Sequence, residues 1–386
     1  MNRLKGLSLF ANVGVAEAYL KEIGVDILYA NELLEDRANL YQAIYPDTKM
    51  ICGDITDDNT RSDIVQKSIN ADIDFVIATP PCQGMSVAGN RDPFDKRNQL
   101  IYYAIDVIKR LKPKFVLLEN VPRLLITKIK INDKLVLIPD YIKLELANEY
   151  NFNSETLIKA KDYQVPQLRE RNIFLLVRKD INVVWEFPKK DDREITLKDA
   201  IGDLPSLDPF VREGREQTLE LFPDYEKKKE QALKVSKWHY PPTHSYNHII
   251  WMMHTASGES AIFNEKYYPQ KSNGEHIVAH HNHYRRLSWD KPCRTITMNN
   301  GVISSLCCVH PGRPYLSQNG EILYSDPRVL SIYELMIVTS LPADWPIPEG
   351  TPDTLIRHVI GEGIPPLLIK KIMIELIKQL EEKQNG

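Results

Sequence analysis

The sequence predicts an α/β protein built on a doubly wound, mostly parallel sheet, followed by a smaller irregular module. Three observations carry that prediction. Residues 6–180 alternate short apolar runs with amphipathic stretches, the pattern of parallel strands joined by crossover helices. From about Lys189 the periodicity fades into crowded prolines, aromatics and charges. Helical spacing then returns at 329–340 and 365–380. With 386 residues, 43% of them hydrophobic, the chain can bury a large core in two or three domains. The expected division is 1–188, 189–325 and 326–386, with the last helix packing back on the first unit.

Strands are expected at 7–10, 27–30, 73–78, 115–118, 156–160 and 173–177, each a compact apolar run. Helices are expected between them at 16–23, 35–44, 100–111 and 141–150. The final helix has Leu367, Leu368, Ile372, Ile374, Leu376 and Ile377 as its apolar set. The 190–284 region holds 12 Lys/Arg against 15 Asp/Glu, so it is no polycation, and it reads as loop-rich with short strands.

Five cysteines, an odd number without framework spacing, argue for a reducing, cytoplasmic setting. No signal-peptide pattern is present, and no apolar run approaches the ~18 residues a membrane span needs. The net charge of −3 does not advertise a nucleic-acid binder, although a whole-chain sum can hide a basic face. Eight of the ten histidines fall between His239 and His283, in spacings that match no common zinc pattern, so no metal is expected.

The chemistry gathers at predicted strand ends. After the strand at 73–78 comes Thr79-Pro80-Pro81-Cys82-Gln83. A double proline forces the chain out of the sheet in a fixed direction, and open α/β sheets bind ligands at the carboxyl ends of their strands. Taken alone, Cys82 reads equally well as a small buried residue. The first turn, Phe10-Ala11-Asn12-Val13-Gly14-Val15, sits where nucleotide-like cofactors bind, and Asn12 can adopt a left-handed conformation. Glu32 and Asp54 follow the next two strands, placed to accept from ribose hydroxyls and from an exocyclic amine. Each acid alone is more often solvated or capping. Glu119 ends the strand at 115–118, and burial there would raise its pKa into the range of a proton donor. Arg169 and Arg171 lie two apart in an extended segment, on one face, which suits a carboxylate or phosphate partner.

Taken in order, these stretches resemble the cytosine-5 DNA methyltransferases of bacterial restriction–modification type. The resemblance runs through the 10–15 turn, Glu32, Asp54-Ile55, Pro80-Pro81-Cys82-Gln83, Arg97-Asn98-Gln99-Leu100, Glu119-Asn120-Val121 and Gln167-Leu168-Arg169-Glu170-Arg171. It resumes at Arg294-Thr295-Ile296-Thr297, at 328–334 and at Gly361-Glu362-Gly363-Ile364-Pro365-Pro366. The chain departs from the family's pattern where Asn12 and Val15 replace glycines, Gln164 replaces a glycine, and Glu362 stands in place of asparagine.

The resemblance implies a Rossmann-like sheet that binds S-adenosylmethionine, with a target-recognition domain over 189–325. It implies a Cys82 nucleophile that attacks carbon 6 of a flipped-out cytosine, Glu119 on the N3 edge, Arg171 orienting Glu119, and Arg169 nearer the DNA backbone. Phe10, Asn12, Gly14, Glu32, Asp54, Ile55, Pro80, Leu100 and Glu362 are the expected donor-site residues. Gln83, Ser86, Arg97, Arg285, Arg286 and Thr295 are the expected DNA contacts, with Arg91, Lys96 and the histidine-rich stretch beside them. The expected partners are double-stranded DNA and a cognate restriction endonuclease acting on the same site, with the enzyme a monomer. A tRNA cytosine-5 methyltransferase and a catalytically silent relative are the alternatives. Intact Cys82, Glu119 and Arg171 speak against the second.

Overall fold

In the computed structural model, residues 3–81, 96–131 and 134–385 are described. Eight strands form the main sheet: β1 (Leu4–Leu9), β2 (Val25–Glu32), β3 (Lys49–Cys52), β4 (Phe75–Ala78), β5 (Phe115–Asn120), β6 (Tyr150–Phe152), β7 (Leu157–Lys159) and β8 (Glu170–Arg178). Their order is β3-β2-β1-β4-β5-β8-β6, with β7 also on β8. The first five run parallel and the rest pair antiparallel. The order reverses between β1 and β4. At such a switch point the two following connections leave on opposite faces and open a crevice at the strands' carboxyl ends.

Alternation within the strands divides the core in two. Val76, Ala78, Val116 and Leu118 face α2 (Asp58–Asn70), α3 (Leu100–Leu111) and α4 (Ile138–Leu146), through residues such as Ile64, Ile105 and Ile142. Phe75, Ile77, Phe115 and Leu117 face the other way, onto Leu368, Ile369, Ile372 and Leu376 of the long C-terminal helix Pro366–Asn385. Trp185 wedges there, with Nε1 donating to the Ile372 carbonyl at 3.0 Å. Each such side chain, fully removed from water, contributes roughly 1.5–3 kcal/mol.

Helix α1 (Glu35–Ile44) and α3 match their expected spans. Two expectations need correction. The predicted helix at 16–23 is instead a pair of single 3₁₀ turns, Val15–Glu17 and Lys21–Ile23, bracketed by left-handed Gly14 (φ 76°) and Gly24 (φ 86°). Buried Glu17 pins the first turn by accepting from Ser8 Oγ at 2.5 Å and from the Tyr41 hydroxyl. The helix predicted at 141–150 starts at Ile138 and stops at Leu146, because Tyr150 joins the sheet and its hydroxyl donates to the Pro113 carbonyl at 2.9 Å.

The region after 189 contains more helix than its texture suggests: Leu197–Ile201, Arg215–Leu221, Tyr225–Val235 and Tyr246–Met253. Tyr225–Val235 buries only Tyr225 and Ala232, so its apolar stripe is too narrow to stand out among charges. Asp199 completes a capping box with Thr196, as its expected role in a turn or cap requires.

A buried charge network ties this region to the helix α5 (Ile332–Val338). Arg328, fully buried, clamps both Glu334 oxygens at 2.7 and 2.9 Å, Asp326 at 3.0 Å and the Leu207 carbonyl at 2.6 Å. His310 Nε2 lies 3.7 Å from Glu334. Burial alone would push Glu334 up, but Arg328 beside it overrides that and holds it at about 2. Burial pushes His310 down to about 4. Both shifts mean that the folded state binds fewer protons than the unfolded chain, so stability rises with pH. The His310 contribution is present above pH ~6.5 and is lost toward 4, and the Glu334 contribution is lost between ~4.5 and 2. The denaturant midpoint is therefore expected to fall progressively from pH 7 to pH 4. Arg328→Met, which strands two carboxylates, should cost roughly 3–5 kcal/mol at pH 7 in urea unfolding.

Candidate active site

The crevice at the switch point collects the strand ends. Cys82, Gln83, Ser86 and Arg91 lie outside the described residues, as do the side chains of Lys96 and Arg97. The approach to Cys82 is described. β4 runs into Thr79-Pro80-Pro81, and Asn120 Nδ2 at the end of β5 donates to the Pro80 carbonyl at 2.9 Å. Asn120 Oδ1 in turn accepts from the Val121 N–H at 2.9 Å. This amide locks the proline turn to the segment that carries Glu119, a role the sequence reading did not assign to it.

Glu119 is 7% exposed, and Arg171 Nε meets its Oε1 at 2.7 Å. Burial raises the Glu119 pKa, while Arg171 and then Arg169 oppose the rise. A buried carboxyl with one anchored oxygen is oriented for a single proton-bearing contact with a ligand.

Arg169 departs from expectation. It does not share a ligand-facing surface with Arg171 and does not face a DNA backbone. Its guanidinium is buried, donating to the carbonyls of Ile296 at 2.8 Å, Gly361 at 3.1 Å and Glu362 at 2.9 Å. The chain reverses direction between Gln167–Leu168, which pairs with Cys293–Arg294, and β8, so the two arginines part. Arg169 is a tie between the 167–171 segment and the C-terminal part of the chain.

On the other side of the crevice, the 10–14 turn carries three left-handed residues, Phe10 (φ 58°), Asn12 (φ 50°) and Gly14 (φ 76°). A Cβ at Gly14 would come 2.2 Å from the Tyr45 ring, whose hydroxyl donates to the Gly14 carbonyl at 2.6 Å. Glu32 closes the turn, accepting from the Asn12 N–H at 2.9 Å and the Leu34 N–H at 3.0 Å. Asp54 accepts from the Thr56 N–H at 2.9 Å. Ile55 is buried in the core, and Leu100 is half-buried at the start of α3. Glu362, at the end of α6 (Asp353–Glu362), reaches the turn by accepting from Asn12 Nδ2 at 2.9 Å. Leu33 and Leu34, beside Glu32, are 57% and 44% exposed and offer an apolar face for a purine. Two leucines directly after a strand-end acid were the available signal for that face.

These residues fit S-adenosylmethionine. Asn12 Oδ1 is buried without a hydrogen-bond partner, an unmet acceptor inside the turn. Phe10, Gly14, Glu32, Asp54 and Glu362 surround the same crevice.

The expected DNA contacts divide. Arg286 is corrected: it is 1% exposed and donates to the carbonyls of Met252 at 2.9 Å and His310 at 2.7 Å, so it reaches no phosphate. His239 and His244 are likewise interior, His239 beside Ser331 Oγ at 2.9 Å and His244 accepting from the Val329 N–H at 3.2 Å. Arginine and histidine in a mixed sequence look the same whether they cage carbonyls or face solvent, so composition cannot separate the two. Arg285 stays half-exposed, and Thr295 Oγ1 donates to the Leu168 carbonyl at 2.6 Å. His276, His280 and His281 are exposed.

Comparison with known proteins agrees with this geometry. Residues 4–378 match the C-5 cytosine-specific DNA methylase family. The Type II methyltransferase M1.HgaI of Avibacterium volantium is 44% identical over 97% of this chain and 99% of its own length. M.XorII of Xanthomonas oryzae pv. oryzae is 25% identical over 99% of this chain and 87% of its own. Among solved structures, a putative DNA modification methyltransferase encoded within an E. coli prophage superposes with a TM-score of 0.67 at 21% identity, over 98% of this chain and 99% of that one. DNMT2 of Spodoptera frugiperda gives 0.57 at 15%, over 97% and 99%. Both structures share the fold. A match that spans nearly every strand end described above places this chain in the C-5 cytosine-specific DNA methylase family, and it is a DNA cytosine-5 methyltransferase.

Proposed function

We propose that the enzyme is the site-specific modification methyltransferase of a type II restriction–modification system, protecting host DNA from a nuclease that reads the same site. The observation that carries the reaction is the buried Glu119–Arg171 pair, tied through Asn120 to the proline turn that leads into Cys82.

Carbon 5 of cytosine is a weak nucleophile. Cys82 thiolate adds to carbon 6, forming an S–C6 bond and pushing electron density to carbon 5. Glu119 holds the N3 edge and supplies the proton that neutralises the ring as charge builds there, while Arg171 fixes the carboxyl. S-adenosylmethionine supplies the methyl group to carbon 5. Loss of the carbon 5 proton to a base and rupture of the S–C6 bond return the free thiolate and 5-methylcytosine. A stacked base offers neither face of carbon 6 to a thiol, so the target is flipped out. Residues 189–325 serve as the recognition module, with Gln83, Ser86, Arg97, Arg285 and Thr295 on the DNA side, and the enzyme works as a cytoplasmic monomer.

The test is transfer of labelled methyl from S-adenosylmethionine to duplex DNA and to tRNA, followed by mapping of the methylated position. Label confined to one short DNA sequence context is expected. Label on tRNA alone would overturn the reading, and label on neither would favour the silent relative.

A further inference from the structure

Asn12 and Glu362, two of the positions at which the chain leaves its family's pattern, touch each other. Asn12 Nδ2 donates to Glu362 Oε2 at 2.9 Å, and Arg37 Nη1 from α1 reaches the same oxygen at 2.7 Å. The three residues come from the first turn, from α1 and from the end of α6, so no sequence window contains them.

The backbones beneath this cluster are held by other bonds. The Asn12 N–H is taken by Glu32 at 2.9 Å, and the Glu362 carbonyl by Arg169 at 2.9 Å. The side-chain cluster is therefore not what places the two segments. It also leaves acceptors over. Both donors converge on Oε2, and the Glu362 side chain remains 23% exposed. Because the carboxylate takes the Asn12 amide N–H, the amide oxygen is turned to the other side, where it is buried with no partner. An unmet buried acceptor is costly unless a ligand supplies the donor.

A carboxylate, a spare amide oxygen and a guanidinium side by side complement a zwitterion. An ammonium is donor-only, with three N–H groups, and a carboxylate is acceptor-only. We propose that Asn12, Arg37 and Glu362 form the receptor for the amino-acid end of the methyl donor. Glu362 and Asn12 accept from its ammonium. Arg37 holds Glu362 in place and donates to the ligand carboxylate. This assignment rests on the reading of the crevice as the S-adenosylmethionine site.

The experiment compares two ligands by calorimetry on the full-length enzyme. S-adenosylhomocysteine carries the amino-acid end; 5′-methylthioadenosine shares the nucleoside thioether and lacks it. Glu362→Gln and Arg37→Gln are expected to weaken S-adenosylhomocysteine roughly 10- to 100-fold, the worth of a charged hydrogen bond, while 5′-methylthioadenosine changes by less than about twofold. Asn12→Gly removes the amide at a left-handed position that glycine adopts freely, so it should fold and show the same selective loss. Equal weakening of both ligands, or no weakening of either, overturns the receptor. Failure of the wild type to bind both ligands overturns the donor site itself.

Discussion

Cys82→Ser is expected to abolish methyl transfer, lowering turnover by roughly a thousandfold or more, because a serine hydroxyl is a far poorer nucleophile at neutral pH. The wild type incubated with DNA carrying 5-fluorocytosine and S-adenosylmethionine should form an adduct that survives denaturation. Fluorine in place of the carbon 5 proton cannot leave as a cation, so the S–C6 bond has no route to break. The serine variant should give no such band on a denaturing gel, and an undiminished band would assign the nucleophile elsewhere. Other cysteines offer little competition. Burial pushes the thiols of Cys293, Cys307 and Cys308 up, Cys308 to about 12, which leaves almost no thiolate at neutral pH.

Glu119→Gln is expected to lower turnover by about 10²–10⁴, the usual worth of a positioned proton donor, with S-adenosylmethionine binding changed little. The amide keeps the shape and the hydrogen bond from Arg171 but carries no transferable proton. The raised pKa of Glu119 adds a second readout. Turnover that needs the protonated carboxyl falls as pH rises through that value, so the wild type should lose activity on its alkaline side with a limb assigned to Glu119. The glutamine variant should lack that limb. A variant with wild-type single-turnover rates and the same pH profile would dismiss the assignment.

Much of this site was legible before any coordinates. The strands gave themselves away as apolar runs, and the acids and the double proline that end them stood next to those runs in the chain. Glu32, Asp54 and Glu119 could be placed at strand ends because strand periodicity is local. The pairing of Glu119 with Arg171 was suggested by motif order and carried through by the antiparallel register that sets Ile173 opposite Glu119. Where the reading failed, the deciding contacts were remote. Nothing near Arg286 or Arg169 announces that each would cage carbonyls from distant segments. Residues 16–23 carry helical spacing, yet a buried glutamate and two left-handed glycines broke them into turns.

The sequence by itself determined the class of fold, the order of its chemistry and the identity of the reacting groups, since these follow from short-range patterns and side-chain type. Only the tertiary structure decided which charges are used for function and which for architecture. An arginine's role depends on what desolvates it. Arg171 meets a carboxylate in the crevice, Arg328 and Arg286 neutralise or cage an interior, and Arg37 meets Glu362 across three elements. Burial and the distance to a partner are properties of the folded chain, and they separate side chains that the sequence writes with the same letter.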